Sequence, residues 1–164
     1  MALLIVVLAS GFGRDVRHID SPLVGRVAPP FALDRVDGKG QLTLASLRGK
    51  PAVVNFWATW CQPCMEELDV LQDGARRAGS GVQFVSIVYD DEPARIQAVL
   101  AKHGGGAYPT LVDKGGRTAI AYGVGGVPET FFIDASGRIV SKYPGPLSPL
   151  MLDGYLDQIR RSGS

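Results

Sequence analysis

Short apolar runs alternate with amphipathic segments along the chain. The apolar runs have the length of strands, and several are nearly continuous, as expected of strands buried on both faces of a sheet. They lie near 31–33 and at 51–58, 82–90, 108–113, 130–134 and 138–143. The amphipathic segments have helical periodicity, and they lie at 61–79, 92–104 and 148–161. The last two strands flank the turn ASG and predict a hairpin, so the order of elements predicts an α/β domain whose mixed central sheet is flanked by helices on both faces.

The first residues, MALLIVVLASGFG, form an apolar run. It offers about a dozen apolar residues, whereas a bilayer-spanning helix needs about 20. It also lacks a preceding basic segment and a clear A-x-A cleavage site, so it is a poor secretory signal. Two interpretations stay open, the remnant of a membrane anchor and a short buried segment. The glycines and charged residues that follow favour the anchor, and we expect an anchor remnant at 1–13, a linker at 14–30 and a domain at 31–164 outside the cytoplasm.

Composition narrows the range of partners. The chain has 164 residues, of which 46% are hydrophobic and 20% charged, and this suits one globular domain with a proper core. The formal net charge is +1 and no basic stripe with interleaved aromatic residues occurs, so we expect no nucleic-acid partner. Two cysteines cannot form a disulfide-rich scaffold. We also expect a monomer.

Both cysteines lie in the stretch NFWATWCQPCMEEL, where a predicted strand gives way to a predicted helix. The first amides of a helix have no partner and carry partial positive charge, and both features stabilise a thiolate at Cys61. Residues i and i+3 of a helix lie about 5–6 Å apart, which allows a disulfide between Cys61 and Cys64. The order of strand, C-x-x-C and helix therefore predicts a redox-active disulfide.

Other uses of the two thiols stay open. A purely structural disulfide across so short a loop would stabilise the fold by only about 2 kcal/mol. A zinc site needs two more ligands, and only His18 and His103 are available, neither of them clustered with the cysteines. Two thiolates also suit Cu(I), so a non-catalytic metal-handling module is a third alternative, disfavoured because no third ligand lies nearby. We expect no metal and no cofactor beyond the disulfide.

Two adjacent glutamates follow the cysteines and face different directions. On a helical wheel Glu66 lies about 200° from Cys64 and should face water, whereas Glu67 lies about 60° away, at the edge of the apolar face. A carboxylate partly buried there would have a raised pKa and could exchange a proton with the Cys64 thiol. The alternative is an ordinary solvated residue. Further along, Pro128 opens a strand, and the pattern alone predicts an ordinary trans peptide bond before it.

These residues carry a resemblance to a known family. WCQPC after NFWAT, the stretch GVGGVPETFFIDASGRIV and the lead-in SPLVGRVAPPFAL together resemble the TlpA-like, membrane-anchored branch of the thioredoxin superfamily, and most of all its DsbE/CcmG type. The similarity covers about residues 11 to 148. It implies a thioredoxin-like fold and a thiol:disulfide oxidoreductase that reduces disulfides in apocytochrome c, or in a relay partner, during cytochrome c maturation. It also implies a transmembrane thiol reductase as electron donor and a location on the periplasmic side of a bacterial inner membrane.

The resemblance also implies residue roles. Cys61 matches the exposed nucleophile, Cys64 the buried resolving cysteine, and Glu67 an acidic residue characteristic of this reductive branch. Trp60 matches an aromatic residue of the docking surface, and Val127 matches a residue that offers backbone groups to the substrate. Pro128 matches the cis-proline that faces the disulfide, and Glu129 matches the acid that follows this proline.

The two residues between the cysteines depart from the cytochrome c group. That group often has Pro-Thr there, whereas Gln62 and Pro63 are closer to ResA-type proteins. Because these residues tune the redox potential, a ResA/TlpA-like reductase with another client, such as a copper-centre assembly protein, stays open. A peroxiredoxin is disfavoured, since Cys61 is not set in a P-x-x-x-T-x-x-C pattern.

Overall fold

A mixed seven-stranded sheet forms the centre of the domain in the computed structural model, which describes residues 21–162. The strands follow one another in space in the order β2-β1-β5-β4-β3-β6-β7. Strands β3, β4 and β5 are parallel, and all other neighbouring pairs are antiparallel. The strands are β1 (Ala32–Arg35), β2 (Gln41–Thr43), β3 (Ala52–Trp57), β4 (Gln83–Tyr89), β5 (Thr110–Asp113), β6 (Glu129–Ile133) and β7 (Ile139–Pro144).

Helices cover both faces of this sheet. Over the described residues there are four α-helices: α1 (Gln62–Ala78), α2 (Pro93–Lys102), α3 (Arg117–Ala121) and α4 (Pro149–Arg161). One face packs against α1 and α4 through a cluster that includes Val53 and Phe132, and α2 joins this face through Ile96. The other face, with Val54 and Phe56, packs against α3 and the segment before β3. The predicted α/β architecture, a thioredoxin-like fold with a mixed sheet between helices, is confirmed.

The composition of the central strand β3 explains why both faces of the sheet are buried by other elements. All six of its residues are buried, as its continuous apolar run predicts. Since side chains alternate along a strand, Val53, Asn55 and Trp57 face α1, while Val54 and Phe56 face the other side. Asn55 is the one polar side chain in this strand, and it lies on the face that α1 covers.

Some elements do not follow from the sequence pattern. Strand β2 has three residues and helix α3 has five, so neither is long enough to show a period. Helix α3 depends on a side chain of the preceding strand, because the Asp113 carboxylate at the end of β5 accepts hydrogen bonds from the amides of Thr118 (3.1 Å) and Ala119 (2.8 Å). The strand predicted at 108–113 begins only at Thr110, directly after Pro109, which has no amide hydrogen to donate.

The segment before β1 lies alongside the β6–β7 hairpin and is hydrogen-bonded to it. The predicted anchor remnant at 1–13 and the first part of the predicted linker, with His18, lie outside the described residues. In the rest of that linker, the amides of Gly25 and Ala28 donate to the carbonyl oxygens of Ile139 (2.8 Å) and Gly137 (2.9 Å). In the part of the chain that is described, no helix has the length and apolar character needed to cross a membrane.

Candidate active site

A disulfide joins the two cysteines at the start of α1. Cys61 is the residue that caps the helix, and its Sγ accepts a hydrogen bond from the Cys64 amide at 3.2 Å. The two Cα atoms are 5.3 Å apart, so the predicted pairing is confirmed. Pro63 lies in the first turn, where a missing amide hydrogen leaves no bond unmade. The Cys61 sulfur therefore lies at the positive end of the helix dipole.

The two sulfurs differ little in exposure. Cys61 retains 4% of its accessible surface and Cys64 none. Cys61 is the more exposed of the two cysteines, in agreement with the roles that the resemblance implies. In this oxidised state, however, Cys61 is far from exposed. It packs in a cluster with Trp57 and Leu68. Trp60, directly before the pair, is 64% exposed, so the surface around the disulfide carries a large solvent-facing aromatic side chain.

The loop before β6 lies against the disulfide. The carbonyl oxygen of Val127 is 3.4 Å from Cys61 Sγ. The Val127–Pro128 peptide bond is cis, so the trans bond expected from the pattern is wrong and the cis bond implied by the resemblance is present. Val127 itself is half-buried, while Pro128 is buried. Trp60 directly precedes Cys61 and Pro128 directly follows Val127, so all three residues lie in the two segments that meet at this sulfur.

Glu67 is buried one turn beyond Cys64 on α1. It is 1% exposed, so it lies deeper than the edge position expected for it, and the solvated alternative is excluded. Its Oε1 accepts a hydrogen bond from Asn55 Nδ2 at 2.7 Å, and its Oε2 accepts one from the Leu147 amide at 2.9 Å. Burial raises the pKa of Glu67 to about 7, although these two hydrogen bonds act in the opposite direction. Glu66 is exposed, as expected.

Asn55 is a site residue that the sequence reasoning overlooked. Its Nδ2 donates both to Glu67 and to Thr130 Oγ1, the latter at 3.0 Å, and Thr130 is its register partner on β6. A polar residue inside the run AVVNFW was the available signal, because buried polar side chains almost always have hydrogen-bond partners. Leu147 offered no such signal, since it contributes only a backbone amide.

Glu129 is also buried, but on the opposite face of the sheet from Glu67. It is 6% exposed, and its Oε2 lies 2.9 Å from Lys142 Nζ on β7. Its Oε1 accepts a hydrogen bond from the Gly125 amide at 3.3 Å. The side chain therefore faces Lys142 and the loop before β6, away from solvent.

A second polar contact fixes the turn before the cysteines. The carboxylate of Asp91, after β4, accepts hydrogen bonds from the Thr59 amide (3.1 Å) and from the Thr59 hydroxyl. Burial alone would raise the pKa of Asp91, but the bonds from Thr59 and from the Glu92 amide hold it below its ordinary value. His103 lies elsewhere, at the end of α2 and 3.4 Å from Asp69. Within residues 21–162 no three His, Cys, Asp or Glu side chains come together as a metal site would require.

A sheet of this topology, a C-x-x-C disulfide at a helix start and an acid buried behind it define a thiol:disulfide oxidoreductase with a thioredoxin-like fold. The sequence matches the AhpC/TSA family over residues 24–142. The chain belongs to this family.

Comparison with individual relatives identifies the type of thiol:disulfide oxidoreductase. The chain is 40% identical to the thiol:disulfide interchange protein DsbE of Pseudomonas fluorescens biotype C, over 91% of this chain and 82% of the relative. It is 31% identical to the thiol-disulfide oxidoreductase ResA of Bacillus thuringiensis (strain Al Hakam), over 93% and 86%. The crystal structure of a thioredoxin family thiol:disulfide interchange protein from Chlorobium tepidum TLS superposes with a TM-score of 0.71 at 33% identity, covering 82% of this chain and 95% of that one. The protein is thus a thiol:disulfide oxidoreductase of the DsbE/ResA type.

Proposed function

We propose that this protein reduces disulfides in apocytochrome c, or in a relay protein that handles it, during cytochrome c maturation. The observation that carries the proposal is the acid behind the disulfide. Glu67 is buried one turn beyond Cys64 with a pKa of about 7, so near neutral pH it can both accept and release a proton. A reductant needs such a group, because its second cysteine must lose a proton before it can displace the client.

The first step is attack by Cys61 on the client disulfide. In the reduced protein, the helix start that holds the Cys61 sulfur, with the Cys64 amide 3.2 Å from it here, stabilises the thiolate. This thiolate forms a mixed disulfide with one client sulfur, and the other client sulfur leaves as a thiolate that takes up a proton.

The second step releases the client. Glu67 accepts the proton of the Cys64 thiol, and the resulting thiolate attacks the Cys61 sulfur. The Cys61–Cys64 disulfide forms, the bond from Cys61 to the client breaks, and the client sulfur that was bound to Cys61 leaves as a thiolate. Two electrons have then moved from the protein to the client. A client cysteine pair reduced in this way is free to form thioether bonds to haem.

The client is expected to bind in an extended form beside the disulfide. We propose that its backbone pairs with that of Val127, whose carbonyl oxygen is 3.4 Å from Cys61 Sγ, and that Trp60 supplies an exposed apolar contact. Pro128 follows in the same loop, and Glu129 is the first residue of β6. Backbone pairing of this kind accepts many sequences, so client choice depends on the surrounding surface.

Turnover in an oxidising compartment requires a supply of electrons. We propose a location on the periplasmic side of a bacterial inner membrane and a transmembrane thiol reductase as the donor. The apolar run at 1–13 supports a membrane-anchored chain.

A second candidate is a ResA/TlpA-like reductase with another client, for example a protein of copper-centre assembly. It is favoured by Gln62 and Pro63 between the cysteines, and by the 31% identity to proteins named ResA. The chemistry at the disulfide is the same in both candidates, so only the identity of the client separates them.

The test is to trap the client. Cys64→Ser should accumulate a mixed disulfide through Cys61, and mass spectrometry of the thiol-linked complex should identify an apocytochrome c or a relay protein. Cys61→Ser is the matched control, which should trap nothing by this route. A copper-assembly protein in the complex would favour the second candidate. The absence of any thiol-linked partner from cells expressing Cys64→Ser, together with tight Cu(I) binding by the reduced protein, would favour the metal-handling module.

A further inference from the structure

Lys142 is a nearly buried cation that none of the steps above uses. Its side chain is 10% exposed, and its Nζ lies 2.9 Å from Glu129 Oε2. The same Nζ donates a hydrogen bond to the Gly123 carbonyl oxygen at 3.0 Å and lies 5.4 Å from the centre of the Phe131 ring. A lysine seldom leaves water unless its charge is compensated, so this arrangement requires a reason.

Three hydrogen bonds hold the loop between α3 and β6, and the two members of the ion pair make two of them. Lys142 holds the carbonyl of Gly123 at the start of the loop, and Glu129 holds the amide of Gly125 in its middle. At the end of the loop, the Pro128 carbonyl oxygen accepts a hydrogen bond from the Gly145 amide at 2.8 Å. Each of these bonds fixes a different part of the segment 123–128.

This loop needs such support because of its composition. In the stretch GVGGVP, three of the six residues are glycine, and glycine loses more conformational freedom on ordering than any other residue. The loop also contains Val127, whose carbonyl oxygen is 3.4 Å from Cys61 Sγ. A backbone that must meet a client strand at that position has to be ordered before the client arrives.

We propose that Lys142 and Glu129 form a positioning pair that orders the loop at 123–128, so that Val127 is presented to the client backbone beside Cys61. The inference rests on the proposed pairing of Val127 with a client. It changes the role implied for Glu129 by the resemblance, because the carboxylate acts through the loop and does not touch the client. It adds Lys142, a positioning residue on another strand.

Direct contact between Glu129 and the client makes the opposite prediction. If the carboxylate bound a basic client residue, removal of Lys142 would free it and binding would improve or stay the same. In a positioning pair, removal of Lys142 leaves the loop without its anchor at Gly123 and leaves Glu129 buried without a cation, so client binding weakens.

The first measurement is amide hydrogen exchange, which needs no client. Lys142→Met keeps most of the aliphatic side chain and removes the charge, and it should speed exchange of the Gly125 amide at least about tenfold relative to amides of β4. Lys102→Met, a change at an exposed lysine on α2, is the matched control and should leave exchange at Gly125 unchanged. Unchanged exchange at Gly125 in Lys142→Met would overturn the proposal.

The second measurement compares two oxidised substrates, a peptide with a C-x-x-C-H disulfide and glutathione disulfide. In Lys142→Met, the KM for the peptide should rise about tenfold relative to the KM for glutathione disulfide. The double variant Lys142→Met/Glu129→Gln should recover most of this loss, because the glutamine can still accept from Gly125 and no charge is left unpaired. A change in thermal stability with no change in the KM ratio would mean a purely structural pair and would also overturn the proposal.

Two further outcomes keep the test decisive. Should Lys142→Met not fold, Glu129→Gln and the double variant are compared. The positioning pair predicts a larger rise in the KM ratio in Glu129→Gln, which leaves the Lys142 charge unpaired, than in the double variant, about tenfold against about twofold, whereas direct contact predicts about a tenfold rise in both. If the wild-type protein shows no preference for the peptide, the proposed function fails at that point. The exchange measurement at Gly125 still decides the positioning role.

Discussion

Glu67 and Glu129 are both buried acids beside the disulfide, but their environments differ. Glu67 lies on the α1 face, 1% exposed, and its oxygens meet two neutral donors, the Asn55 amide and the Leu147 backbone. Glu129 lies on the α3 face, 6% exposed, and meets the Lys142 cation at 2.9 Å. Neutral donors leave burial as the dominant influence on Glu67, so its pKa rises to about 7.

The comparison shows that burial alone does not decide what a carboxylate does. A buried acid without a cation can titrate near neutral pH and serve a proton transfer. A buried acid against a cation forms an ion pair between two strands, and it suits a role in holding a loop. Both arrangements occur in this domain, one on each face of the sheet.

The largest expected effect follows from removing the proton acceptor. In Glu67→Gln the step that releases the client should slow at least about 100-fold at pH 7, because the Cys64 thiol loses the general base that we propose for it. The wild-type rate should fall as pH drops below about 7, where Glu67 is protonated, and this inflection should vanish in the variant. Single-turnover kinetics of the mixed disulfide measure the step. Glu66→Gln, at an exposed neighbour, is the matched control, and an equal effect there would contradict the assignment.

Stability should also depend on Glu67. Its pKa is 4.5 ordinarily and about 7 in the folded protein, so folding binds the proton more tightly. The contribution of this proton to the free energy of unfolding is therefore fully present below pH 4.5 and is lost as pH rises to about 7, by about 3 kcal/mol in total.

Urea unfolding of the oxidised protein at pH 5 and pH 8.5 measures this decline. In Glu67→Gln the part due to this residue should be absent, so the variant gains relative to wild type at the higher pH. Asn55 can rotate its amide to present Oδ1 to the new glutamine, and the buried site therefore tolerates the change. A variant with the same pH dependence as wild type would show that Glu67 is not the titrating group.

A smaller effect is expected from the donor next to Glu67. The hydrogen bond from Asn55 favours the charged form of the Glu67 carboxylate. Asn55→Ala removes this bond, so the pKa of Glu67 should rise further above about 7. The pH inflection of client release should move upward by about one pH unit. Thr130→Val, which removes a contact to Asn55 and none to Glu67, should move it less. A downward movement in Asn55→Ala would refute the hydrogen-bond direction described here.

The smallest effect concerns the energy of the ion pair itself. A double-mutant cycle of Glu129→Gln and Lys142→Met, followed by urea unfolding at pH 7, should give a coupling energy of about 1 to 2 kcal/mol. The attraction is large at this depth, but both charges had to leave water to form it. A coupling energy near zero would mean that the pair adds no stability, whatever it does for the loop.

The sequence predicts the long, periodic elements well and the local ones poorly. Strands β3 and β4 and helices α1 and α4 are long enough for a continuous apolar run or a helical face to show, and all are present. Helix α3 escapes prediction because it is stabilised by the carboxylate of Asp113, which comes from a different element.

The candidate active site is also only partly predictable from the sequence. The cysteine pair follows from its spacing and from the helix that follows it, and the side of α1 that carries Glu67 follows from the helical wheel. The depth of Glu67 does not, because it is set by Asn55 on β3 and by the backbone of Leu147, 80 residues away. The contact between Glu129 and Lys142 depends on the pairing of β6 with β7, and no short-range pattern encodes that register.

Strand β6 carries neighbouring residues to opposite sides of the sheet, with Glu129 turned toward Lys142 and Thr130 toward Asn55. A deletion or insertion of one residue there would turn every following side chain to the wrong side, exchanging a charged environment for an amide network and leaving both incomplete. The length of the segment 128–132 is therefore fixed by the two different environments that its alternating side chains must reach.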